Sequence, residues 1–518
     1  MKKLAVLLLV AGSIATNPVV SQPLNSAQID SLTEKVLRTF DVPGISVAVI
    51  KDGKILHAKG YGVRTLGNPQ KVDENTLFGI ASNSKAFTAA ALGMLVDEGK
   101  LKWDDKVTDY IPGFKMFDPY VTAEFTVRDL LTHRSGLGLG AGDLMMFPDS
   151  SNFTKADIIH NLRYLKPVSS FRTKFDYDNN LYIVAGEVVA KASGMSWEDF
   201  IEKKIMQPLG MTQSAASINR LKNRSNIISA HAPVNGKVEP IRMDWSETAN
   251  AAGGIYSNLT DLSKWVIMQM DHGKYGDGKT LFSDDVHEDM WAPQTIIDVR
   301  GSSPYNTHFG SYGLGWFLSD VKGYKQVSHT GGLAGIVTQV TLLPELKLGI
   351  IVLTNQQSGA AFSAITNTIK DAYLDVKGID RVKQQRDRVT ANEKDAKKIT
   401  DSIWKMIDIQ QKATTGKPDI NNYTGTYTDN WFGDITVSMK NGRLRFDSKR
   451  SPRLTGEMLF YKANTFIVKW DDRSMDADAY MQFELDHEGK ASGLKMNAIS
   501  PLTDFSFDFQ DLDLKRTK

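Results

Sequence analysis

Cysteine is absent from all 518 residues. That excludes disulfides, a thiol nucleophile, thiolate metal sites and lipidation of an N-terminal cysteine. An excess of one charge is lacking too: 62 lysines and arginines stand against 60 acids. This balance points away from a nucleic-acid binder or a partner for an acidic surface. Long apolar runs are missing. Leu4 to Ala15 is too short to span a bilayer. Placed after Met1-Lys2-Lys3 and before the small-residue site Val19-Val20-Ser21, it reads as a cleaved secretory signal peptide over residues 1–21. The mature chain is expected to be exported, most simply to a bacterial periplasm, with no later transmembrane segment. There is no internal repeat and no low-complexity tract.

The length suits two to three domains. Ser26 is a possible N-cap for a helix over 26–40, in which Ile29, Leu32, Val36 and Leu37 share a face. Strands are expected at Gly44–Ile50 and Lys54–Tyr61, joined by an Asp52-Gly53 hairpin turn. A mostly helical region follows to about 270, and strands return at 324–329, 336–343 and 348–353. Strands at both ends with helices between imply one antiparallel sheet with a helical subdomain inserted. Residues 361–414 are charged and helical in tone and read as a solvated linker. From 415 to 518 short alternating strands, with Asn441-Gly442 as a turn, predict a separate all-β barrel or sandwich.

Three clusters carry chemical potential. Ser82-Asn-Ser-Lys85 opens an apolar helical run, so Ser82 and Lys85 lie on one face. A desolvated lysine can serve as the base that a serine hydroxyl needs. Tyr177-Asp-Asn179 can present a phenol and an amide from one loop, the phenol as a phenolate beside lysine. His329-Thr330-Gly331-Gly332 ends a strand, and its glycines admit a substrate backbone. The Gly332 and Ser82 N–H groups could form an oxyanion hole, each donor worth about 3 kcal/mol. Read singly, each has a plainer reading: an N-cap serine with a solvated lysine, a polar helix-capping turn, and a strand-ending turn with a surface histidine.

Their order resembles that of the penicillin-recognising serine hydrolases (serine peptidase family S12): Ser-x-x-Lys, Tyr-x-Asn, then Lys/His-Thr-Gly. The middle element is similar to that of the class C β-lactamase branch, which includes D-alanyl-D-alanine carboxypeptidases, D-aminopeptidases and esterases. Thr126 to Leu137, Gln207 to Met211, Ala252 to Ser257 and Tyr312 to Trp316 extend the resemblance over about 26–360. It implies an α+β, β-lactamase/transpeptidase-like domain over 22–360. The β domain resembles a lipocalin-like barrel appended to some peptidases of the family, where it can wall off the site.

The resemblance implies that Ser82 is the acylated nucleophile, Lys85 its base and Tyr177 a proton shuttle. Asn179, His329, Thr330 and Gly332 would bind substrate; His133 would pack and hydrogen-bond. His-Thr-Gly in place of Lys-Thr-Gly implies a weaker, pH-dependent cation. The expected activity is acyl-enzyme hydrolysis of small peptides, amides or esters, with no metal and no cofactor. A class C-type β-lactamase and a penicillin-binding sensor without turnover are the alternatives.

Overall fold

The computed structural model describes residues 23–517 except Asp244 and Ser302. The expected signal peptide lies outside the described residues. The larger body is built on an eight-stranded antiparallel sheet. Its strands are β1 (Gly44–Lys51), β2 (Lys54–Gly62), β3 (Thr295–Ile297), β4 (Gly310–Tyr312), β5 (Phe317–Val321), β6 (Tyr324–Leu333), β7 (Ile336–Leu343) and β8 (Leu348–Thr354). Their order across the sheet is β2-β1-β8-β7-β6-β5-β4-β3. The N-terminal and C-terminal strand groups therefore meet at the pairing of β1 with β8, and the inserted segment runs from one edge of the sheet to the other. Both of these strands are near-continuous runs of buried apolar residues, because both faces of the sheet are covered. Edge strand β2 instead exposes much of its length. Asp52 and Gly53 both take positive φ, as a tight turn between right-twisted strands requires.

One face of the sheet carries α1 (Ser26–Thr39) and α5 (Gly359–Tyr373), whose apolar residues share a core with Val47, Ile350 and Val352. The N-cap of α1 is Asn25, not Ser26: its side chain accepts from Gln28 N, and Gln28 returns the bond in a capping box. The opposite face carries α2 (Ser84–Asp97), α3 (Asn180–Ser193) and α4 (Leu259–Met270). Helix α2 is apolar almost all round, so it is buried almost all round. Phe87 on α2 stacks on Trp265 of α4 at 3.8 Å between ring centroids.

The stretch expected as a linker from 361 divides in two. Residues 361–373 belong to α5 and bury Phe362, Ile365 and Ile369 against the sheet, so the sheet-packed unit continues past 360. The dense run of charge lies in α6 (Arg381–Lys412), a 32-residue helix anchored at both ends. At one end Arg381 grips Asp371 through Nε (2.6 Å) and Nη2 (2.9 Å). At the other, Ile403 and Ile407 pack on Ile467 and Ile499 of the second body.

That second body is a closed eight-stranded antiparallel barrel running from Gly425–Asp429 to Leu514–Arg516, with neighbours in chain order. Of the two β architectures left open by the sequence, the barrel is the one formed. Its interior is filled by buried rings, with Phe446 against Trp470 at 5.3 Å and Phe466 against Phe483 at 5.7 Å. At this size side chains alone can fill a barrel. The barrel meets the larger body through its loops, which lie over residues 139–161. Asn161 Nδ2 donates to Trp431 O (2.8 Å), Arg450 Nη2 pairs with Asp157 (2.9 Å), and Arg453 pairs with Asp149.

Candidate active site

Ser82 sits in a single 3-10 turn, Ala81–Asn83, immediately before α2. The turn is bound to the sheet: Asn83 Nδ2 donates to Ile80 O (3.1 Å) and Thr338 Oγ1 (2.9 Å), and Thr338 Oγ1 donates to Ile80 O (2.9 Å). Ala81 is held at φ +50°, a strained conformation for alanine that aims the next residue. Gly331 explains how close the strand lies. A Cβ there would stand 2.3 Å from Ile80 O and 2.9 Å from Ala81 Cβ, so only glycine lets β6 press against the serine turn. The strand continues through the glycines to Leu333 rather than ending at them.

One turn along α2, Lys85 is wholly buried. Its Nζ has three polar neighbours: Asn179 Oδ1 at 2.7 Å, Ala252 O at 2.9 Å and Ser82 Oγ at 3.1 Å. Two of these are oxygens that can only accept; the third is a hydroxyl. A neutral amine has two N–H donors and one lone pair. It satisfies Asn179 and Ala252 with the donors and leaves the lone pair for the Ser82 proton. Burial brings the lysine down to about 7, against the opposing pull of Asp143 and Asp178, so the neutral form is accessible near neutral pH. Hydroxyl and amine are thus matched in geometry and in protonation.

Tyr177 lies on the same cavity wall as Ser82, whose hydroxyl is among the groups that act on its phenol. Burial raises its phenol well above the ordinary tyrosine range. The expected phenolate is therefore not what this environment favours: the lysine is the group driven toward its basic form, and the tyrosine keeps its proton. His133 fills the space behind, its ring 4.2 Å from that of Tyr177, and its Nδ1 accepts from Asp178 N at 3.0 Å. Burial depresses it well below the usual histidine range. It packs and hydrogen-bonds, the part expected of it.

His329 departs further from expectation. Its Nδ1 lies 2.6 Å from Thr330 O, which can only accept, so Nδ1 carries the proton. Nε2 is then the acceptor for Tyr312 O–H at 2.9 Å. Burial, with Lys85 nearby, pushes the imidazole down to about 3. The ring is neutral across the physiological range and its nitrogens are engaged, so it offers no pH-dependent cation. The stretch Tyr312 to Trp316 stood out in the sequence without a role for its tyrosine; the structure gives Tyr312 this one. Gly315 from the same stretch lies where a Cβ would come within 2.9 Å of Lys85 O.

Strand β5 stops with Phe317 opposite Ser328, so among the described residues no strand pairs with the β6 edge from His329 onward on that side. That edge, through His329, Thr330, Gly332 and Leu333, borders a cavity of about 510 Å³ that also holds Ser82, Tyr177 and Asn179 on its wall. All seven residues singled out in the sequence are therefore gathered at one place, with Lys85 just beneath. The cavity's remaining wall is largely apolar, including Leu139, Phe147, Phe175, Trp245 and Phe317. Barrel residues close it, Met475, Leu502, Phe505 and Phe507 among them. Phe505 meets Tyr177 edge to face at 5.9 Å. Two guanidinium groups also lie on the wall. Arg453 is held by Asp149 and Asp472, and Arg242 donates to Ser150 Oγ at 3.3 Å. Among the described residues no cluster of side chains is suited to a metal ion.

Asp143 is the group that reading the sequence missed. It is fully buried, and its Oδ2 accepts from Asn179 Nδ2 at 2.8 Å. Burial raises it well above the usual carboxylate range and raises Asp178 to about 7. The glycines at 140 and 142 mark a turn there, but nothing local says that the turn lies against Asn179.

A sheet with flanking helices, a serine at a helix start and a lysine one turn on define a β-lactamase-type serine hydrolase fold. Residues 29–374 match the Beta-lactamase family model, and the chain belongs to that family. Residues 410–516 match a separate domain of unknown function, DUF3471. Unguisins hydrolase ungD′ from Aspergillus campestris (strain IBT 28561) is 26% identical over 481 residues, covering 89% of this chain and 87% of that protein. Protein flp from Staphylococcus aureus (strain NCTC 8325 / PS 47) is 27% identical over 338 residues, 64% of this chain and 63% of that one. The octameric penicillin-binding protein homologue from Pyrococcus abyssi superposes with a TM-score of 0.61 at 23% identity, over 95% of this chain and all of that one. A class C beta-lactamase gives 0.55 at 23% identity, over 68% and 96%. At these identities the two structures speak to the fold.

Proposed function

We propose that the protein is an exported serine hydrolase that forms an acyl-enzyme at Ser82 on small peptides, amides or esters. The observation that carries this is the Lys85 environment: two obligate acceptors and one hydroxyl around an amine whose burial favours its neutral form. In this reading Lys85 takes the Ser82 proton as Oγ attacks the acyl carbon. The Ser82 and Gly332 N–H groups receive the developing oxyanion. Tyr177 passes its proton to the leaving group and is reprotonated from Lys85, and the reverse relay activates water for deacylation. The bared β6 edge accepts the substrate backbone as an added strand, with Asn179 and Thr330 beside it.

The neutral His329 and the apolar wall favour substrates that do not depend on a carboxylate at that position. The barrel loops on the wall favour small ones. That a relative spanning most of the chain is named as a hydrolase supports turnover rather than sensing. β-Lactam hydrolysis is the second reading, favoured by the family and by the likeness to a class C enzyme.

The test is a panel of p-nitrophenyl acetate, D-alanyl p-nitroanilide and a fluorescent penicillin. Product from the ester or anilide, lost in Ser82→Ala, supports the proposal. Efficient turnover of the penicillin alone would favour the second reading. A stable penicillin adduct with no product from any of the three would overturn both.

A further inference from the structure

One chain of contacts runs from the barrel into the base itself. The segment after the barrel strand Ala491–Ala498 carries Asp508 onto the turn at 142–144. The Asp508 carboxyl oxygens accept from Gly142 N (2.6 Å) and Leu144 N (2.9 Å), the amides on either side of Asp143. From the same segment Ser506 Oγ donates to Asp143 Oδ2 at 2.9 Å. That oxygen also accepts from Asn179 Nδ2 (2.8 Å), and Asn179 Oδ1 accepts from Lys85 Nζ (2.7 Å). Every side chain in the series is buried.

An asparagine amide has a donor end and an acceptor end of nearly equal size. Only the acceptor end suits Lys85. Turned about, the NH2 would donate to Nζ and occupy the lone pair that has to receive the Ser82 proton. What decides the orientation is the partner at the far end: Asp143 Oδ2 already accepts from Ser506 of the barrel, so it meets Asn179 as an acceptor even when the other carboxyl oxygen carries a proton.

We propose that Ser506 and Asp143 are positioning residues for Lys85, so that the C-terminal barrel completes the catalytic base through the series Ser506–Asp143–Asn179–Lys85. This rests on the role of Lys85 proposed above. It gives the barrel a part in the chemistry as well as in covering the cavity. The groups facing Lys85 are the carboxyls of Asp143 and Asp178, the phenols of Tyr177 and Tyr182, and the imidazoles of His133 and His329. Ser506→Ala leaves all of them in place and removes one hydroxyl.

The experiment uses the full chain and follows Ser82 labelling by a fluorophosphonate probe, with kcat and KM for p-nitrophenyl acetate, between pH 5 and 9. Ser506→Ala should lower kcat and the labelling rate by about tenfold or more, as a misplaced base does, with KM little changed. Its acid limb should move to lower pH, because a looser Asn179 carbonyl stabilises the ammonium form less. Ser506→Thr, which keeps the hydroxyl, should recover most of the loss. Asp508→Asn should act in the same direction and decides the matter if Ser506→Ala does not fold. A wild-type rate with the limb unmoved would overturn the proposal. So would a fall in melting temperature or a rise in KM with the limb in place, which would mark a docking role alone. Failure of the wild type to label at Ser82 would instead overturn the hydrolase reading.

Discussion

Two regions border the same cavity and solve opposite problems. At the start of α2 a buried basic group is kept useful; at the β6 edge a buried basic group is silenced. Lys85 and His329 are both stripped of water, and both are shifted toward their neutral forms. The difference lies in the starting point and in the partners. A lysine begins high enough that desolvation leaves it near 7, where it can accept and return a proton. A histidine begins near 6.5, so the same penalty carries it out of the physiological range. The lysine has an acceptor to spare in its neutral form, facing Ser82. The histidine's two nitrogens are taken by Thr330 O and Tyr312 O–H. Burial alone therefore does not fit a group to take up a proton; the identity of the group and its unfilled valence decide.

Breaking the first region should have the largest effect. Ser82→Ala is expected to abolish ester hydrolysis and fluorophosphonate labelling while leaving the melting temperature near that of the wild type. Residual labelling at another residue would relocate the nucleophile. Lys85→Ala should lower kcat by at least about a hundredfold, the usual worth of a positioned base. Gly331→Ala tests the contact between the two regions. Its Cβ has no room beside Ile80 O, so the strand must retreat from the serine turn. Overpacking of this kind costs about 1–3 kcal/mol, readable as a lower denaturant midpoint together with reduced kcat. The smallest effect is expected from His329→Asn. A neutral residue replacing a neutral ring should leave the pH profile between 5 and 8 where it was and change kcat/KM by no more than about tenfold, the loss of about one buried hydrogen bond. A displaced acid limb in that variant would show that His329 does carry charge.

The same contrast explains what the sequence made legible. Ser82 with Lys85, and Tyr177 with Asn179, lie in short segments whose spacing pairs them; the resemblance to a known family joins the two pairs, and the structure gathers them. His329 was legible as a residue at the site but not as a neutral one, because its state depends on Tyr312 across the sheet and on burial. Strands β3, β4 and β5 are three to five residues long, too short to show alternation. Helix α5 merged with the charged run behind it, since its buried face is read against a sheet formed from distant strands. Asp143 and Ser506 are 363 positions apart. Each looks like an ordinary loop residue until the barrel docks, and only the tertiary contact gives either a partner in the site.

The central claim is that neutral Lys85 receives the Ser82 proton, and the pH dependence of kcat/KM tests it most directly. The profile should be high in mild alkali and fall about tenfold per pH unit below an apparent pKa near 7, where the lysine becomes charged. Asp178 is raised to about 7 as well, so the same limb must persist in Asp178→Asn. A rate that stays level from pH 5 to 9, or a limb that disappears in Asp178→Asn, would contradict the account.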